Sequence, residues 1–386
     1  MNTRMRRAIA GWLGACALMG SGIGGACAAT PAEEVQSHVK YLREIRADDD
    51  NATIARHNRQ MDAGWAYFKA NKPQVLPLLR EQLHQELRAP QPNGMVLLDL
   101  GDYLTLNGID DADRDKGAQA LAAIDPKDPV VDANVQQLFE FARLVAARQD
   151  VRAFPLIDRA FLRKDVQLFV PQHAMKLEST LASVFLYGPY GERGETHLRE
   201  LLRVETDPAI ARRIIEILIW IGSPASVPEI KRVGETWTDY ETFGRVMTFM
   251  MMSGGPDGPA ALREVRMETL DDKAQAYWTK QRGDLDHASF ATWHSLMPKS
   301  ELRASSAELA RRTLAQIEQR KGIGAEAPPF FLVDAPIPAA EIIASLTRSR
   351  ALVLQRLSDE ALSEVRLFNL LINTLRYRHL PIDQLR

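Results

Sequence analysis

The sequence predicts an all-α protein built from repeated helix pairs. Helix-forming residues dominate, and no segment sustains period-two alternation of Val, Ile, Thr and aromatics. The chain also aligns on itself without a gap, Asp207 falling on Asp239.

The chain opens MNTRMRRAIAGWLGACALMGSGIGGACAAT. Arg4, Arg6 and Arg7 precede a small-residue apolar stretch from Ala8 to Ala26-Cys27-Ala28. This layout reads as a signal peptide over 1–28, cleaved before Ala29, with a periplasmic or secreted product. Leu13-Gly14-Ala15-Cys16 resembles a bacterial lipoprotein box, and Cys27 follows a poorer one. Lipidation at Cys16 or Cys27 is therefore the competing reading, and the one that brings the chain to a membrane. An uncleaved anchor fits less well, because residues 20–25 are glycine-rich and no stop-transfer pattern follows. Cleavage removes three arginines and no acid from 48 basic and 50 acidic side chains. The mature chain is mildly acidic, which argues against general nucleic-acid affinity. Both cysteines leave with the leader, so disulfides, thiol nucleophiles and thiolate metal sites are excluded.

Residues 29–70 read as an N-terminal helical segment and 71–268 as the repeats. DPAIARRIIEILIWIGSPASVPEIKRVGE, from Asp207, matches DYETFGRVMTFMMMSGGPDGPAALREVRM, from Asp239. Gly222 falls on Gly254, Pro224 on Pro256, Ile230 on Leu262 and Val233 on Val265. The aspartates suit an N-cap, the glycines supply permissive backbone at the helix end, and the prolines cannot continue it. Each unit is helix, tight turn, helix. IIEILIWI is apolar on nearly every face, the pattern of an inner helix packed on both sides. It carries Glu216 and falls far short of the ~20 apolar residues a membrane span needs. Upstream, Leu198 and Leu201 hold the register of Ile230 and Val233, while Pro77 and Pro155 resemble Pro228 in standing near a helix start.

DPAIARRIIEILIWIGSPASVPEIK is similar to a HEAT-type repeat of the short bacterial variety, in which an Asp, a helix, a Gly-x-Pro turn and a VPxL second helix recur. The likeness is clear over 207–267 and loose over 70–206. A tetratricopeptide array would have a similar length, but its Trp, Leu-Gly, Tyr and Ala pattern is missing. The resemblance implies a right-handed α-solenoid of HEAT-like helix pairs, used in most relatives to bind protein.

After 268 the pattern stops. Residues 269–321 read as a helical extension, 322–338 (GIGAEAPPFFLVDAPIP) as a Pro-rich connector, and 339–386 as a C-terminal helix pair. In the last, Ser358 caps a helix with Leu362, Val365 and Phe368 at helical spacing, a cap for the last apolar face of the array.

Phosphate-binding, dinucleotide, zinc-helix and nucleophile-elbow motifs are absent from the mature chain, and no cofactor is expected. DDADRDKG, from Asp110, spaces Asp111, Asp113 and Asp115 like a calcium loop. Gly117 comes one place late and Ala122 stands where a bidentate Glu is needed, so an acidic first helical turn explains the run better. GDLDHASFATWH, from Gly283, offers Asp286, His287 and His294, the histidines two helical turns apart. That set could share a metal or do acid–base work, against the plainer reading of a capped surface helix. FLYGPYGERGETH places Tyr187, Tyr190 and Arg193 around a Gly-Pro turn, where exposed aromatics beside arginine suit an interface. Finally, Arg199, Lys231 and Arg263 share one repeat register and predict a basic stripe along the second helices, interleaved with Glu200, Glu229 and Glu264.

The expected function is that of an exported, non-catalytic scaffold or adaptor whose partner is another protein. The alternative is a periplasmic enzyme or metal-binding protein with its site near 284–294.

Overall fold

A computed structural model describes residues 29–46, 49–170, 175–255 and 257–282, with the single positions 344, 347, 350 and 354. Within them the protein is predominantly helical, as the composition predicts.

Helix α1 (Pro31–Leu42) opens with a capping box: Thr30 Oγ1 accepts from Glu33 N, and the Glu33 carboxylate accepts from Thr30 N at 2.8 Å. α2 (Asn51–Ala70) and α3 (Lys72–Leu87) follow. Pro77 lies inside α3, a correction to its expected place near a helix start. The helix begins at Lys72 with Pro73 in its first turn, and Pro77 costs it one backbone bond.

α4 (Gly94–Asn107) is the centre of the N-terminal half, with every residue from Gly94 to Thr105 buried. Its VLLDLGDYL run is apolar on almost every face, so neighbours must cover it all round. α1, α3, α5 (Asp111–Ala123), α6 (Pro129–Ala133) and α7 (Val135–Ala146) do so. Gly101 permits the close approach of α5 and α7: a Cβ there would lie 2.7 Å from Ala120 Cβ and 2.8 Å from Phe141 Cζ. Asp110 caps α5 and Asp113 pairs with Arg80 of α3, so DDADRDKG forms the acidic first turn.

Three helical geometries follow in one run: a 3-10 turn (Val151–Ala153), α8 (Phe154–Ile157) and a π turn (Asp158–Leu162). Arg163 N donates to Asp158 O at 2.9 Å, closing the wider ring. A short antiparallel hairpin, β1 (Gln167–Val170) with β2 (Met175–Glu178), is the one sheet among the described residues.

The remaining helices are α9 (Ser179–Tyr187), α10 (Glu192–Val204), α11 (Pro208–Ile221), α12 (Val227–Thr236), α13 (Tyr240–Met252), α14 (Asp257–Arg263) and α15 (Asp272–Arg282). α11 packs on α9, α10 and α13, which buries Ile214, Ile215, Ile217, Leu218 and Ile221 of IIEILIWI and leaves Glu216, Ile219 and Trp220 half-buried, so the expected burial on nearly every face holds in part. α12 packs on α10, α13 and α14. Both aligned units thus form helix, turn, helix. Asp207 accepts from Ala209 N at 2.8 Å and Asp239 from Thr242 N at 3.0 Å. The glycines act differently from expectation. Gly222 has an ordinary φ of −73°, and what it supplies is space: a Cβ would lie 2.5 Å from Leu218 O and 2.9 Å from Phe249 Cε2. The left-handed residue of the second unit is Gly255, at φ 60°.

Charges tie successive units together. Arg212 pairs with Asp239 at 3.4 Å, and Arg245 with Glu216. One continuous core runs from Val35 to Trp278 and includes Leu354. Among the described residues no helix is long and apolar enough to cross a membrane. The leader, the connector and most of 283–386 lie outside the described residues.

Candidate functional site

The Gly-Pro turn predicted as an aromatic interface is a hydrogen-bonded node whose aromatic rings face inward. Tyr187 and Tyr190, expected to be exposed, are 0% and 2% exposed. The π turn brings Asp158 under them. Tyr187 donates its phenol to Asp158, and His197 Nε2 lies 2.9 Å from the same carboxylate. His197 stacks on Phe154 with centroids 4.1 Å apart and planes 17° from parallel. Tyr190 donates to Asp150 O at 2.9 Å. Buried phenols need partners, and these two have them, which is why the rings turn inward. Burial pushes the Tyr187 phenol well above its ordinary range, the Asp158 charge adding to it.

Arg193 stays on the rim, donating to Gln149 O at 3.4 Å. Gln149 is itself in the left-handed region, φ 58°, and donates to Pro189 O at 3.0 Å, closing the turn against the end of α7. Asp158 and His197 keep 16% and 19% of their side chains exposed, so the node is reachable from solvent at that edge.

The predicted basic stripe is a ladder of both signs. Arg199 of α10 pairs with Glu229 of α12 at 3.3 Å, and Arg203 donates to the same carboxylate at 2.9 Å. Lys231 pairs with Glu264 just past α14, and Arg263 makes contacts of its own. Burial pushes the Glu229 carboxyl up, but hydrogen bonds from Arg203 and Arg199 outweigh it and hold it below the ordinary range. Arg199 and Lys231 are therefore each paired with an acid from the following unit, and these two positions do not present unpaired positive charge.

Beside Lys231 the helices part over a groove of about 280 Å³. Its floor is Phe243, Val246 and Met250 of α13, and its rim carries Lys231, Glu235 and Arg266. Such a volume accepts one or two side chains, below the roughly 300 Å³ at which small-molecule sites begin.

Asp286, His287 and His294 lie outside the described residues, and among those described no three His, Cys, Asp or Glu side chains converge to hold a metal. Sequence reasoning missed Asp158, Asp99 and Asp102. Their signal was present: each is an acid inside an apolar helical run, PLIDRAFL and VLLDLGDYL, where a charge needs a partner to be tolerated.

Comparison with protein-family models, curated proteins and solved structures returns no match.

Proposed function

We propose that this chain is an exported helical-repeat protein that binds another protein, α9–α14 stacking as right-handed HEAT-like pairs and the groove beside Lys231 receiving an apolar side chain of the partner. The groove carries the reading. Its apolar floor is framed by charges of both signs, as expected of an anchor pocket with a polar rim. The leader supports export, and the extended face of second helices gives the partner room.

A photo-reactive amino acid at Glu235, expressed in the chain's own host, tests this. The expected result is one discrete adduct that disappears when Lys231→Glu and Val265→Asp are combined. No adduct, or the same pattern from a control at Asp111 on α5, overturns the proposal. Arg199 is left intact, since a carboxylate there would face the buried Glu229.

A further inference from the structure

α4 carries two carboxyls, Asp99 and Asp102, 0% and 8% exposed. Three residues apart, they share one face of the helix. Asp99 has both oxygens occupied: His38 Nε2 from α1 lies 2.8 Å from Oδ2, and Trp65 Nε1 from α2 donates to Oδ1 at 2.9 Å. Gly64 makes room for this, since a Cβ there would lie 2.3 Å from His38 Nδ1. With two neighbours directed at it, Asp99 is the doubly hydrogen-bonded member of the pair.

Asp102 has no such support. Gln137 of α7 is the group that favours its ionised form, while Asp99 and Glu140 oppose it. Charged groups on the surrounding helices are engaged elsewhere. On α3, Arg80 pairs with Asp113 of α5, and Glu86 with Arg43. On α7, Arg143 lies 3.4 Å from Glu140. Asp128 caps α6, and His38 of α1 is held by Asp99. Among the described residues no basic side chain pairs with Asp102. Burial above all, and the Asp99 charge next, raise its carboxyl to about 7.

We propose that the Asp99–Asp102 face of α4 is a proton-controlled latch on the packing of α7. With a proton on Asp102 one carboxyl of the buried pair is neutral, and α7 stays seated against α4. Without it, a second negative charge is buried one turn from Asp99 with Glu140 of α7 nearby, the hydrogen bond from Gln137 does not make up for the lost water, and parting α7 from α4 rehydrates the carboxylate. A folded-state value raised above that of the opened chain means stability is greatest at low pH and falls as pH rises toward about 7. The latch closes in acidic surroundings and is loosened by neutrality and above.

Hydrogen exchange of the full chain, corrected for intrinsic rates, tests the latch. Protection over 94–107 and 135–146 should fall about thirty-fold between pH ~5.5 and ~8.5 in the wild type. Asp102→Asn, which keeps the neutral shape, should abolish that fall. Flat wild-type protection, or a fall that persists in Asp102→Asn, overturns the proposal. Should Asp102→Asn fail to fold, carbon-13 NMR of labelled aspartate in the wild type decides. A buried carboxyl titrating near neutrality supports the latch, and every aspartate titrating near 4 refutes it.

Discussion

Arg350 donates to the carbonyl of Gly222 at 2.6 Å, reaching back 128 residues to the end of α11. It also donates to Trp220 O at 3.5 Å, and Leu354, one turn on, is 3% exposed. The last carbonyls of a helix lack partners within it and carry the negative end of its dipole, so a buried guanidinium suits the place. Replacing Arg350 with Ala should cost about 2 kcal/mol in chemical denaturation and speed hydrogen exchange over 208–222. Unchanged stability would show that the contact contributes nothing.

The Asp158 node makes a different prediction. Tyr187→Phe removes one donor from a carboxylate while keeping the ring, and should destabilise by about 2 kcal/mol. In alkaline titration followed by ultraviolet absorbance, Tyr187 and Tyr190 should ionise only as the protein unfolds. Burial raises both phenols above 10, so the stability they contribute is present below that pH and is lost as pH climbs past it. Native-state ionisation of all 8 tyrosines near the ordinary value would refute the buried placement.

Two glycines of the repeats should respond oppositely to alanine. At Gly222 the new methyl would press on Leu218 O and Phe249, for a loss of about 1–3 kcal/mol. Gly244, in the interior of α13, has nothing within 4 Å of its would-be Cβ, and Gly244→Ala should gain about 0.5–1 kcal/mol. Thermal melts of the two variants check the contrast.

Acid should destabilise the protein through a separate set of groups. Glu229, Asp113 and Asp239 are each pushed up by burial, yet their hydrogen-bond donors win and hold them low. A lowered folded-state value gives stability that is present above the ordinary carboxylate range and is lost as pH falls through it. Because Asp102 acts in the other sense, its contribution declining from the ordinary carboxylate range up to about 7, stability should peak near pH ~5. Glu229→Gln should flatten the acid limb, as a pH series of denaturation midpoints would reveal.

The legible parts were those governed by neighbours in sequence. Asp207 and Asp239 cap helices because capping is a local bond, and the apolar run of α11 foretold the burial of Ile214, Ile215, Ile217, Leu218 and Ile221. The inward turn of Tyr187 and Tyr190 was not legible, because it depends on Asp158 from a π turn that no periodicity announces. The partnering of Arg199 and Lys231 was half visible. The interleaved glutamates are visible in the sequence, but which cation each one faces is set by packing between units. The pairing of Asp99 with His38 and Trp65 joins three helices, and only tertiary structure assembles it.

The ion pairs between units have a consequence for their order. Arg212 with Asp239, Glu216 with Arg245, Arg199 with Glu229 and Lys231 with Glu264 are separated by 27, 29, 30 and 33 residues, each close to one unit. A copy of the first unit would meet it with Asp207 and Arg213 at the positions of Asp239 and Arg245, whereas Gly244 and Thr248 stand where a unit following the second would need Arg212 and Glu216. The charges therefore fix these two units in this order, and the loss of Arg and Glu at 244 and 248 marks where the like-for-like series ends.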